Sequence, residues 1–218
     1  DEYASRTMLF KIFYCLASMQ LCRVRYYTGW QLASANVTAV GLNYNSEGKT
    51  WTEKYQKIVP VRPWDFESSD NLKDKLERWN CSVQSWLKNY VYLRICSVEQ
   101  AKKNPKKATF ASNITFLTSA VWHGLYPGYY MAFLQLFLQQ QINKFMFKAR
   151  GKFAFVPGPL RAFFAWVLTT VFMNYAATFF ILLDFKQGIK FSQALYHIPF
   201  FIQLGVFIFF NVTGWGQG

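Results

Sequence analysis

The chain has 218 residues, 52% of them hydrophobic and 20% aromatic, and carries a formal net charge of +13. A disordered chain is excluded, because it could not contain this much apolar and aromatic surface; four Cys in this length also exclude a disulfide-framework miniprotein. Only 16% of the residues are charged, below the roughly 25% of ordinary soluble domains, and the mean hydropathy of +0.04 averages over a very uneven chain.

Ten of the eleven acidic residues lie at or before Glu99, and the other is Asp184. Residues 108–143, 162–183 and 191–218 contain no Asp, Glu, Lys or Arg. Each stretch reaches the about 20 residues that one helical bilayer span requires. The basic excess falls between them, at Lys102, Lys103, Lys106 and Lys107, and then at Lys144, Lys148, Arg150, Lys152 and Arg161. This distribution predicts an all-α, polytopic helical membrane protein. Lys and Arg between spans face anionic lipid on the cytosolic side, so the charge implies membrane lipid as a partner and no nucleic acid. The chain starts at Asp1 without a three-part signal peptide and is expected to be part of a longer protein.

Residues 1–40 are expected to hold a membrane or interfacial helix. It crosses only if Lys11, Arg23 and Arg25 snorkel to the surface; otherwise it lies in the interface. Residues 41–68, rich in Gly, Asn and charge, read as a loop in which Pro60 and Pro63 break any helix. In residues 69–96, Ser69 or Asp70 caps a helix. Leu72, Leu76, Trp79, Val83, Trp86, Tyr90 and Leu93 recur there at spacings of four and three, so they share one face. This is an amphipathic helix with Asn80 at the edge of that face. Residues 97–107 form a basic loop, and residues 108–218 a transmembrane helical region. Within it, two helices meet at a break made by Gly124, Pro127 and Gly128. Gln139, Gln140 and Gln141 thicken the polar end of the second, and two final spans cover about 160–183 and 191–212. The whole is expected to be one domain.

His123 is the sharpest candidate for chemistry. An ionisable residue at membrane depth is costly and is a functional candidate by default. Desolvation disfavours imidazolium, so a buried His123 is expected to be neutral and able to accept a proton. Gly124 and Gly128 let a substrate or a second backbone come close. The competing reading, a core histidine satisfied by a carbonyl, weighs about as much. Asn80 has a carboxamide able to stabilise an oxyanion or orient a substrate; a plain interfacial Asn is the stronger reading from the residue alone. His197 is expected to be structural, and Asp184 to pair with Lys186 at the interface. Two distant His and four scattered Cys lack metal-ligand spacing, so no metal is expected. Nor is there a Walker loop, a dinucleotide fingerprint or a nucleophile elbow.

Two strings in the chain resemble the membrane-bound O-acyltransferase family, in its lysophospholipid acyltransferase branch. The first is Trp79-Asn80, followed by Trp86-Leu87, Tyr90, Tyr92 and Arg94. The second is Trp122-His123-Gly124 with Pro127-Gly128-Tyr129-Tyr130. The resemblance runs from about Arg6 onward, and His197 is similar to a histidine often seen in the family's last long span. Family members are roughly twice as long, which makes this the C-terminal part of the larger helical fold. The resemblance implies an enzyme that moves a fatty acyl group from acyl-CoA to a lysophospholipid, in an internal membrane such as the endoplasmic reticulum. His123 matches the catalytic histidine and Asn80 its partner. Trp79, Trp122, Gly124, Pro127, Gly128, Tyr129 and Tyr130 are the implied substrate-binding residues. Acyl-CoA is then a co-substrate, transfer is direct, and neither a cofactor nor a metal is needed. The chemistry of the residues agrees, because a hydroxyl is a poor nucleophile until a base takes its proton. Other readings are a different acceptor (sterol, diacylglycerol or protein), a non-catalytic membrane subunit, or a transporter with broken helices. Partner subunits, or the N-terminal remainder of the same protein, are also possible partners.

Overall fold

The computed structural model describes residues 2–55 and 57–214, the Thr52 side chain excepted, and all its regular elements are helical. In chain order these are α1 (Glu2–Ser5), α2 (Met8–Ala39), α3 (Trp51–Lys54), α4 (Pro63–Ser68), α5 (Leu72–Arg78) and α6 (Cys81–Leu87). A π-helical turn, Lys88–Tyr92, leads into α7 (Leu93–Ile95), α8 (Val98–Lys103), α9 (Pro105–His123) and α10 (Pro127–Lys148). A 3-10 turn, Ala149–Phe153, precedes α11 (Gly158–Leu182), α12 (Phe185–Ala194) and α13 (Ile198–Thr213). Helices α2, α9, α10, α11 and α13 form the bundle. The core is centred on Ala132, Tyr175, Phe179 and Leu195.

Among the described residues, α11 alone is long and apolar enough to cross a bilayer by itself; α12 and α13 qualify only together and are bent by 88° at their junction. The expected last span is therefore two helices. The break falls at Tyr196 and His197, both at positive φ, with Pro199 in the first turn of α13. The glutamines of α10 do more than mark a polar end. Gln139 Nε2 donates to the Thr169 carbonyl at 3.1 Å, and Ser112 Oγ donates to Gln140 Oε1 at 2.8 Å. Such bonds tie helices together where apolar contact alone gives little drive.

Helix α2 runs for 32 residues, but two of its cations, Lys11 and Arg23, do not snorkel. Lys11 is buried and donates to the Ala194 carbonyl at 2.8 Å. That contact places a cation at the C-terminal end of α12, where the helix dipole favours it. Arg23 turns inward to Glu67. Asp184 is not paired with Lys186 either. Its carboxylate caps α12 by accepting from the Gln187 N–H at 2.9 Å.

The amphipathic segment is also broken. Asn71, rather than Ser69 or Asp70, caps α5, accepting from the Asp74 N–H. Trp79 is extended and Asn80 is left-handed, at φ 47° and ψ 56°. The break rotates α6 relative to α5: Leu87 is buried while Trp86 and Tyr90 are exposed. One straight helical face does not survive the turn.

Lys75 is buried under this segment. Its ammonium donates to the Phe66 carbonyl at 2.8 Å and to the Glu67 carbonyl at 3.3 Å. Burial is the main cause that brings its pKa down from 10.5 to about 8, with Glu67 opposing. Between those two pH values the unfolded chain binds more protons than the folded one. Stability from this group therefore rises with pH through that window and is flat below it. The gap in thermal midpoint between the wild type and Lys75→Met should widen in favour of the wild type from about pH 8 to about pH 10. A flat or narrowing gap would contradict this burial.

Candidate active site

His123 is the last residue of α9, and Gly124 ends the helix at φ 127°. A side chain at Gly124 would be strained by that φ, so glycine is required at the turn. Tyr126 then leads into α10, whose first residue is Pro127, the position where a missing N–H costs nothing. The chain thus reverses tightly just past the imidazole.

Gly128 sets the next constraint. Its N–H donates to the Leu183 carbonyl at 2.7 Å. A Cβ there would lie 2.6 Å from Leu183 Cα and collide with the Phe179 carbonyl. Leu183 itself has φ 63°, a conformation sparsely populated outside glycine. The start of α10 and the end of α11 therefore touch backbone to backbone. This is the close approach expected of Gly128, and its partner is a helix end.

The contact brings Phe180 to His123. The imidazole sits edge-on to Phe180 at 4.8 Å between ring centroids, with Trp122 at 4.9 Å and Tyr129 and Phe133 each at 5.6 Å. His123 is half-buried. Among the described residues its ring nitrogens have no hydrogen-bond partner, so it is not a carbonyl-satisfied core histidine. Trp122, Leu125 and Tyr126 around it are exposed, and Tyr130 is half-buried on α10.

Asn80 follows Trp79 at the start of α6. Trp79 is held in an aromatic cage by Trp30 at 4.9 Å, Phe66 at 5.2 Å, Tyr26 at 5.7 Å and Tyr27 at 5.8 Å. Its ring anchors the segment on α2. The chain between α4 and α5 meets the middle of α11: Trp166 Nε1 donates to the Glu67 carbonyl at 2.7 Å and Thr169 Oγ1 to the Asp70 carbonyl at 2.9 Å. His123 packs at Phe180, near the end of α11. Among the described residues no hydrogen bond or ring contact joins Asn80 to His123.

His197 is tied into a chain of its own. Ser192 Oγ lies 2.7 Å from His197 Nδ1 and 2.7 Å from the Tyr175 hydroxyl. Sequence reasoning missed a second polar cluster altogether. Arg23 pairs with Glu67 at 2.8 Å, Tyr27 OH donates to the same carboxylate at 2.7 Å, and Arg23 also donates to Asn174 Oδ1. Asn174 carries the signal that was available: it is the one carboxamide in the charge-free stretch 162–183. Among the described residues no group of three or more His, Cys, Asp or Glu could hold a metal ion.

The sequence pattern of the membrane-bound O-acyltransferase family matches residues 1–183. The chain belongs to this family. It is similar to a lysophospholipid acyltransferase of Schizosaccharomyces pombe, with 31% identity over 217 residues, covering 94% of this chain and 42% of that protein. Lysophospholipid acyltransferase 6 of Drosophila melanogaster is 30% identical over 200 residues, covering 90% of this chain and 26% of the relative. Human membrane-bound glycerophospholipid O-acyltransferase 2 is 29% identical over 203 residues, 90% of this chain and 36% of the relative. The chain thus spans less than half the length of these relatives. The family match ends where α11 ends, so it includes Asn80, His123 and the Gly128–Leu183 contact but stops short of His197.

Overpacking of a tight contact costs about 1–3 kcal/mol. Gly128→Ala should therefore lower the thermal midpoint in detergent, and an unchanged midpoint would contradict the backbone contact.

Proposed function

We propose that the protein of which this chain is part is an acyl-CoA:lysophospholipid O-acyltransferase of the endoplasmic reticulum. The observation that carries the mechanism is the unpartnered, half-buried imidazole of His123 at the helix break. The acceptor class follows from relatives named for lysophospholipid and glycerophospholipid acyl transfer.

In this reading His123 takes the proton of the acceptor hydroxyl as that oxygen attacks the thioester carbonyl. The tetrahedral intermediate collapses, the carbon–sulfur bond breaks, and the departing CoA thiolate receives the proton from the imidazolium. No acyl-enzyme forms, so Cys81 beside Asn80 is not needed as a nucleophile. The rings of Trp122, Tyr129, Phe133 and Phe180 keep water from the imidazole and orient it. Asn80 acts on the substrate, as an orienting or oxyanion group. The helix break at Gly124 and the exposed Trp122 and Tyr126 supply the acceptor's approach. Phosphates of CoA are drawn to the basic residues of 102–107 and 144–161, which places CoA entry on the cytosolic face.

The test is CoA thiol release by the full-length protein with acyl-CoA and a panel of lysophospholipids, with products identified by mass spectrometry. Loss of a general base costs about 10²- to 10⁴-fold, so His123→Ala should lose turnover to that extent while the protein stays folded. Full turnover in His123→Ala would remove the proposed base; a sterol ester, triacylglycerol or acylated protein as the product would replace the acceptor.

A further inference from the structure

The segment that presents Asn80 is clasped from one side by the Trp79 cage. Among its other fastenings is the Glu67 carboxylate. Glu67 receives Arg23 Nε at 2.8 Å, Arg23 Nη2 at 3.2 Å and Tyr27 OH at 2.7 Å. Arg23 is itself fixed by Asn174 and Gln20. The two charged side chains keep only 12% and 26% of their exposure. The backbone on either side of Glu67 is held too, by Trp166 on the Glu67 carbonyl, Lys75 on the Phe66 carbonyl and Thr169 on the Asp70 carbonyl. From there the chain runs through α5 directly to Trp79 and Asn80. The far side of that turn is tied back by the Cys81 N–H, which donates to the Pro60 carbonyl at 2.7 Å.

A buried ion pair contributes little plain stability, since desolvation offsets most of its attraction. Its effect lies in geometry. Arg23 offers a planar fork, which matches a carboxylate in two places at once and so fixes direction as well as distance. Asn80 turns the chain in the left-handed region, which Asn enters more readily than other non-glycine residues. Its side chain makes no capping hydrogen bond to α6, so no cap of its own helix holds the amide's direction.

We propose that Glu67, through its pair with Arg23 and Tyr27, is a positioning residue that fixes the Trp79–Asn80 turn against α2 and α11. The consequence for catalysis rests on the acyl-transfer reading, in which Asn80 meets substrate. The placement itself does not.

Cys81, half-buried next to Asn80, reports the turn, while Cys15 and Cys96 are buried elsewhere and report the rest of the fold. The experiment compares Glu67→Gln and Glu67→Asp with the wild type, as full-length proteins in native membranes. A maleimide probe is followed by mass spectrometry of each cysteine peptide, beside CoA-release kinetics. Glu67→Gln should raise Cys81 labelling several-fold and leave Cys15 and Cys96 unchanged. A displacement of about 1 Å at a reacting group costs as much as roughly 100-fold, so kcat should fall by roughly 10- to 100-fold, with a smaller change in KM for acyl-CoA. Glu67→Asp, which keeps the charge, should recover part of both losses. Unchanged Cys81 labelling in Glu67→Gln overturns the proposal. So does a rise shared by Cys15 and Cys96, which would make Glu67 a general stabiliser. If the wild type releases no CoA, the acyl-transfer reading fails and the labelling alone decides the clasp.

Discussion

The backbone of Gly128 rests on the backbone of Leu183, and the geometry around His123 depends on that contact. A glycine allows α10 to begin against the end of α11, and the bond from its N–H to the Leu183 carbonyl closes the gap. With those ends joined, Phe180 lies under the imidazole and Tyr129 and Phe133 flank it. Shift the two helices by one side chain's width and the aromatic recess opens. The strain of Leu183 at positive φ is the local cost of that junction, held in place by the packing around it.

A second constraint works along the middle of α11, from Trp166 to Asn174. There the chain between α4 and α6 is laid across α2, α10 and α11 by polar bonds and by the Trp79 cage. Buried charges are retained there because each has a partner: Arg23 has Glu67, and Lys75 has two carbonyls. The two regions that carry the family's motifs are thus built on different physics. The His123 region is aromatic and apolar, with an imidazole that has no hydrogen-bond partner among the described residues. The Asn80 region rests on a buried polar network centred on Glu67.

Much was legible in the residues alone. Charge-free runs announced helices of membrane character, the Gly124–Gly128 break was marked by its glycines and proline, and Trp122-His123-Gly124 pointed to the family to which the chain belongs. These features are local, set by composition and by backbone preferences over a few residues. What local pattern could not decide was direction and partnership. The spacing of Leu72 through Leu93 describes one helical face, yet Trp79 and Asn80 leave the helix where Trp79 packs among rings of α2 and Phe66, partners distant in the chain. Lys11 and Arg23 read as snorkelling cations, since their partners, Ala194 and Glu67, lie far away in the chain. Asp184 turned from an ion pair to a helix cap, because the N-terminus of α12 offered it an unsatisfied N–H. The sequence by itself determined helix class and membrane character, and it singled out His123 as a candidate for chemistry. Only the tertiary structure decided which polar groups meet, because desolvation makes an unpartnered buried charge too costly and the available partners are brought together by folding alone.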